Sequence, residues 1–194
     1  MTFLSSAEPR AGSRIAAGRK LSRTVQPTRV ERFLEPHRVI VSKTDLRGRI
    51  IYVNRTFMTI SGYEEEELLG QPHSIIRHPD MPRCIFKLLW DLLGEGREVF
   101  AYVKNMARTG DFYWVFAHVT PSRGADGKAV GYHSNRRAPE RRVLAEHIEP
   151  LYRRFLEIEA SAPDRRIGLE RSAAALAQLL RDKGLSYEEF VFSL

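Results

Sequence analysis

Thr44-Asp45-Leu46-Arg47-Gly48-Arg49-Ile50-Ile51-Tyr52-Val53-Asn54 decides the fold class. Turn chemistry at Asp45 to Gly48 stands between two β-branched runs, Val39-Ile40-Val41 and Ile50 to Val53, and predicts an antiparallel hairpin. Asn54 then opens a short helical segment carrying Phe57, Met58 and Ile60. Ser61-Gly62 breaks it, and Glu64 to Leu69 forms another short helix ended by Gly70. A hairpin followed by helices departs from the alternating pattern of a parallel sheet.

The next stretch, Arg77-His78-Pro79-Asp80-Met81-Pro82, places three ionisable side chains ahead of an apolar helix. Two prolines remove donors and fix φ, so Arg77, His78 and Asp80 project in set directions. Asp80 is expected to cap the helix, with Pro82 in its first turn. Met81, Ile85, Leu88, Leu89 and Leu92 recur at helical spacing as far as Gly94. Three strands follow: Val99 to Asn105, Phe112 to Thr120 after the Thr109-Gly110-Asp111 turn, and Ala129 to Ser134 after Asp126-Gly127. Two strands, several helices and three strands give an α+β architecture. The strand from Phe112 presents a bulky face (Phe112, Trp114, Phe116, His118) and a smaller one (Tyr113, Val115, Ala117, Val119), and Trp114 and Phe116 are expected to pack under the C-terminal helices.

Those helices begin with a seam of Leu144, Ile148, Leu151, Phe155 and Ile158. Pro150 interrupts it, and a restart with Pro150 in a new first turn is the favoured reading. After Ala162-Pro163-Asp164 comes a helix bearing Leu169, Leu176, Leu179 and Leu180 and ending at Gly184. Ser186 with Glu189 makes a capping box for a last short helix with Phe190 and Val191. The chain divides into an arm (1–32), expected to be basic and disordered, an α+β domain (33–138) and a helical extension (139–194).

Charge and composition narrow the function. Residues 1–33 hold seven Arg or Lys against Glu8 and Glu31, so most of the +7 net charge lies there. A basic stripe on a folded face is missing, and nucleic acid is not expected as a partner. The single cysteine, Cys84, and the lack of a leader pattern point to a cytoplasmic setting. No apolar run approaches the roughly 18 residues needed to cross a bilayer. Nothing pairs a nucleophile with a base, and phosphate loops and Cys/His metal spacings are absent, so the chain is read as neither an enzyme nor a metal binder.

The words from Thr44 to His73 and from Tyr102 to Val115 resemble the PAS family, and within it the flavin-binding PAS sensor of bacterial aerotaxis receptors. The resemblance covers roughly residues 37–138. It implies a five-stranded antiparallel sheet with short helices on one face, and FAD held between them. The family's pocket positions fall on Arg77, His78, Asp80, Trp90 and Asn105, with Lys104 beside the last. Arg77 offers a fork for phosphate or for an anionic reduced flavin. His78 is suited to follow a ring proton, and Asn105 to pair with a ring edge. Trp90 stands either for ring stacking or for ordinary core. The resemblance further implies a redox or oxygen sensor that signals to a separate, unidentified protein. Two alternatives stay open: a cofactor-free homodimerising module using residues 28–36 and 140–160, and a haem sensor ligated through His73 or His78. The cysteine-containing word of light-sensing relatives is missing, which argues against a photoadduct.

Overall fold

The structure, a computed structural model, describes residues 25–194. The expected arm therefore lies outside the described residues as far as residue 24. Its described end packs: Thr28 N donates to Gly110 O and Arg32 N to Phe112 O, while the Arg32 guanidinium meets Asp111 at 3.0 Å. These contacts tie residues 28–32 to the turn at Gly110–Phe112.

Five strands, β1 (Ile40–Thr44), β2 (Ile50–Val53), β3 (Val99–Met106), β4 (Phe112–Arg123) and β5 (Ala129–Arg137), form one antiparallel sheet in the order β2-β1-β5-β4-β3. This is the α+β sheet with helices that the element order predicts. β4 and β5 run about three residues beyond the expected ends, which brings Arg136 into the sheet opposite Ile40.

Between β2 and β3 lie α1 (Arg55–Ser61), α2 (Glu65–Leu68), a 3-10 turn (His73–Ile76) and α3 (Arg83–Gly94). Asn54 caps α1 by accepting from Phe57 N at 3.0 Å, and its Nδ2 holds Val39 O, so one side chain joins the helix start to the strand before it. α3 departs from expectation. Pro82 occupies its N-cap position and no nearby side chain caps it. Asp80 is not the cap; its carboxylate pairs with Lys104 Nζ at 2.8 Å instead.

The extension comprises α4 (Arg141–Val143), a π-turn (Leu144–Ile148), α5 (Glu149–Ala160), α6 (Arg165–Lys183) and α7 (Tyr187–Phe192). Pro150 falls in the first turn of α5, as the restart reading expects, but the backbone stays helical through Ile148 rather than breaking before it. Glu149 N–H reaches back five residues to Leu144 O, and this wider turn moves the preceding carbonyls off the proline ring. The Ser186–Glu189 box caps α7 as its spacing predicts, and Asp164, the last residue of the expected connector, caps α6.

The extension covers the outer face of β3 and β4. Trp114 lies 6.0 Å from Tyr152, Phe192 packs on Phe100 and Phe116, and Tyr152 Oη donates to Tyr102 O at 2.7 Å. Tyr113, Trp114 and Val115 are consecutive and all buried, which requires cover on both faces of the sheet. The inner face carries the smaller residues of β4 and looks toward α3.

Candidate functional site

A cavity of about 220 Å³ lies between the inner face of the sheet and α3. Its apolar walls are Phe86, Leu89 and Leu93 of α3, facing Val103, Ala117 and Val119 of β3 and β4. Here the small face of β4 earns its purpose, since bulkier side chains would fill the space. Trp90 stands at the mouth, 41% exposed, edge-on to Tyr132 at 5.4 Å and resting over Gly48. A Cβ at Gly48 would come within 3.1 Å of the Trp90 ring, and φ there is +73°, so this turn requires glycine.

The remaining wall is polar. Alternation along β1 and β5 turns Ser42, Thr44, Ser134 and Arg136 inward, and His73 joins them from the 3-10 turn. Arg136 is 4% exposed; its Nη2 donates to Ser42 Oγ at 2.5 Å and to His73 Nε2 at 2.6 Å. Because a guanidinium only donates, Nε2 must accept, and His73 is neutral with its proton on Nδ1. Burial and then the Arg136 charge hold the His73 pKa well below the ordinary histidine value, and burial brings Arg136 down to about 10.

Five polar atoms on this lining are buried without a hydrogen-bond partner: Thr44 Oγ1, Arg77 Nε, Asn105 Nδ2, Ser134 Oγ and Arg136 Nη1. Among the described residues no Asp or Glu lines the cavity, although three arginines do: Arg47, Arg77 and Arg136. Arg77 lies over the Phe86 ring at 3.7 Å, its pKa lowered by burial. Buried charges without counter-ions and buried donors without acceptors are costly, about 1–3 kcal/mol for each neutral group. A ligand with acceptor atoms or negative charge along one edge relieves that cost.

The sequence-based candidates separate here. Arg77, Trp90 and Asn105 line the cavity together; Arg77 pairs with Asn105 through a backbone bridge to the edge strand β3. His78 and Asp80 do not line it. The chain is extended at Arg77, so His78 turns to the opposite side, where it is buried edge-on to Phe112, a residue of the outer face. His78 Nδ1 accepts from Asp80 N at 3.1 Å, and burial, then Lys104, lowers its pKa to about 4. Asp80 stays exposed beside Lys104. Cys84 faces the extension, its thiol pushed up to about 11 mainly by burial. Ser42, Thr44, Ser134 and Arg136 were missed as ligand-facing groups, and His73, named only as a possible haem ligand, lines the cavity as a hydrogen-bonding group. Ending the last strand at Ser134 left Arg136 outside it; the alternation Tyr132, Ser134, Arg136 was the available signal.

Among the described residues, no group of three or more His, Cys, Asp or Glu could hold a metal ion, and no helix is long and apolar enough to cross a membrane.

Comparison with known proteins gives the same architecture. A family profile described as PAS fold matches residues 50–136. The chain is 44% identical over 115 residues to the aerotaxis receptor of Escherichia coli (strain K12), covering 59% of this chain and 22% of the receptor. It is 30% identical over 99 residues to the nitrogen fixation regulatory protein of Klebsiella pneumoniae, covering 51% of this chain and 20% of that protein. The chain thus spans about a fifth of the length of these relatives. Among solved structures, the light state of the blue-light photoreceptor Aureochrome1 LOV superposes with a TM-score of 0.50 at 20% identity, covering 58% of this chain and 88% of that one.

Proposed function

We propose that this chain, which contains a PAS domain, is a sensor that holds FAD in the cavity beneath α3 and reports redox state or oxygen to a separate signalling protein. The observation that carries the reading is the pattern of the cavity wall: two apolar sides, one edge of unpartnered polar groups, and arginines with no carboxylate among the described residues. An isoalloxazine ring has the same division, with apolar faces and an acceptor-rich edge, and its chain ends in phosphates. The residues present fit such a group. When bound, a flavin supplies reversible electron uptake.

The chain's own residues do the rest. Arg136 and Asn105 donate to the polar edge, and Ser134 and Thr44 satisfy what remains there. α3 and the inner face of β4 would exclude water from a group held between them. Arg77 and the exposed Arg47 supply positive charge toward the mouth, where Trp90 offers an aromatic surface. The 44% identity to a receptor named for aerotaxis supports the oxygen or redox stimulus. A homodimer built on residues 28–36, where Val30 and Phe33 stand 58% and 70% exposed, belongs to the same reading, as does a cytoplasmic setting.

The haem alternative is weaker, because the His73 Nε2 lone pair already accepts from Arg136 and His78 lies outside the cavity. Absorbance of the purified protein after FAD is added decides the matter. The parent chain should retain a flavin spectrum through gel filtration, and Arg77→Ala, Asn105→Ala and Arg136→Met should lose it with circular dichroism unchanged. A colourless parent after FAD addition overturns the reading.

A further inference from the structure

The first turn of α3 is held by a residue 76 positions away in the chain. Glu159, on α5, is 8% exposed. Its Oε1 accepts from Arg83 N at 2.8 Å and from Cys84 N at 3.3 Å, and its Oε2 accepts from Arg83 Nε at 2.8 Å. Ser172 on α6, fully buried, donates to the same Oε1 at 2.9 Å, and Arg83 Nη1 donates to Arg165 O at 2.8 Å. A carboxylate at a helix start satisfies otherwise orphaned N–H groups and complements the helix dipole. In α3 that service comes entirely from the extension, since its own N-cap is Pro82.

α3 therefore has two masters. Phe86, Leu89, Trp90 and Leu93 line the cavity. Cys84 and the first-turn amides are held against the extension. The packing leaves little slack: a Cβ on Gly168 of α6 would lie 2.7 Å from Glu159 O and 3.1 Å from Arg83 Nη2.

We infer that Glu159, on the helical extension, is a positioning residue for the cavity, holding the first turn of the helix that forms one of its walls. The inference rests on the cavity being a flavin site. Its logic is linkage: if Glu159 fixes where α3 sits, it sets ligand affinity without touching ligand, and ligand in turn tightens the Glu159 contact by the same factor.

Hydrogen exchange on the full chain tests the inference in two arms. The first uses no ligand and compares the parent with Glu159→Ala and with Glu159→Gln, which keeps the side chain's shape. Faster exchange confined to residues 83–89 and 159–172 in the variants is expected; unchanged exchange there overturns the mechanical link whether or not flavin binds. The second arm adds FAD. The parent should gain protection at residues 149–172, which do not line the cavity, and Glu159→Gln should bind FAD about tenfold more weakly. Tight FAD binding by both proteins with no change at residues 149–172 overturns the coupling between Glu159 and the cavity. A parent that binds no FAD overturns the flavin reading instead, and the first arm still decides the link.

Discussion

Arg136 and His73 share a hydrogen bond whose direction is forced, and the consequence is a pH dependence of stability. The ring must stay neutral to accept from Nη2, and protonating it would set two cations 2.6 Å apart in a buried place. The folded-state pKa of His73 therefore lies below its unfolded value of 6.5. On acidification the unfolded chain takes the proton first, so this contribution to stability is complete above pH 6.5 and is lost as pH falls below it. For one such group the loss is at most about 1.4 kcal/mol per pH unit. His78, lowered to about 4, adds a second loss over the same window. The urea midpoint should thus fall between pH 7 and pH 5. His73→Gln, whose Oε1 still accepts from Arg136 but does not titrate, should make that fall shallower; an equal slope in parent and variant would show that His73 is not held neutral. In the same way His78→Asn, with Oδ1 in place of Nδ1 for the Asp80 N–H, should remove part of the slope that remains.

At the scale of elements, α5 and α6 meet at Gly168, and the sign of one substitution reports how closely. Glycine to alanine inside a helix ordinarily stabilises by about 1 kcal/mol through propensity. At Gly168 the added Cβ meets the carbonyl of Glu159 at 2.7 Å, backbone that cannot swing aside, and the Arg83 guanidinium beyond it. Gly168→Ala should destabilise the chain by about 1–3 kcal/mol in urea titration, the cost of overpacking, and a stabilised variant would refute the close packing. The same junction shows what the sequence could and could not say. Caps formed within three residues, at Asn54 and Ser186, were legible because donor and acceptor lie in one short word. The cap of α3 was not, since a local rule chose Asp80 while the carboxylate that does the work sits on another helix. The site divides likewise: Arg77, Trp90 and Asn105 were readable through their resemblance to a family pattern. Arg136 and His73 depend on the last strand running to Arg137 and on a turn that brings His73 beside β1, neither of which local propensity specifies.

For the whole molecule, the decisive fact is that the β3–β4 half of the sheet has no solvent face. The inner side is spent on the cavity, and a cavity is a weak core: its walls forgo the contacts that a filled space would give. The outer side must compensate. Tyr102, Trp114 and Phe116 lie there under α5 and α7, each burial of a large apolar side chain contributing about 1.5–3 kcal/mol. At the other end of the chain Arg141 grips Glu31 with both nitrogens, at 2.5 and 2.9 Å, so the extension also secures the segment that precedes β1. The sensor domain and extension, though separable as words in the sequence, are thus one energetic unit. Removal of residues 139–194 should expose Trp114 and Phe116 together, lower the melting temperature by more than about 10 °C and broaden the transition, with self-association on gel filtration. Bound FAD should recover part of the loss, because it fills the inner cavity and stabilises only the folded state. A truncated chain that melts as sharply and as high as the parent, and elutes as a monomer, would show that the sheet needs no cover on its outer face.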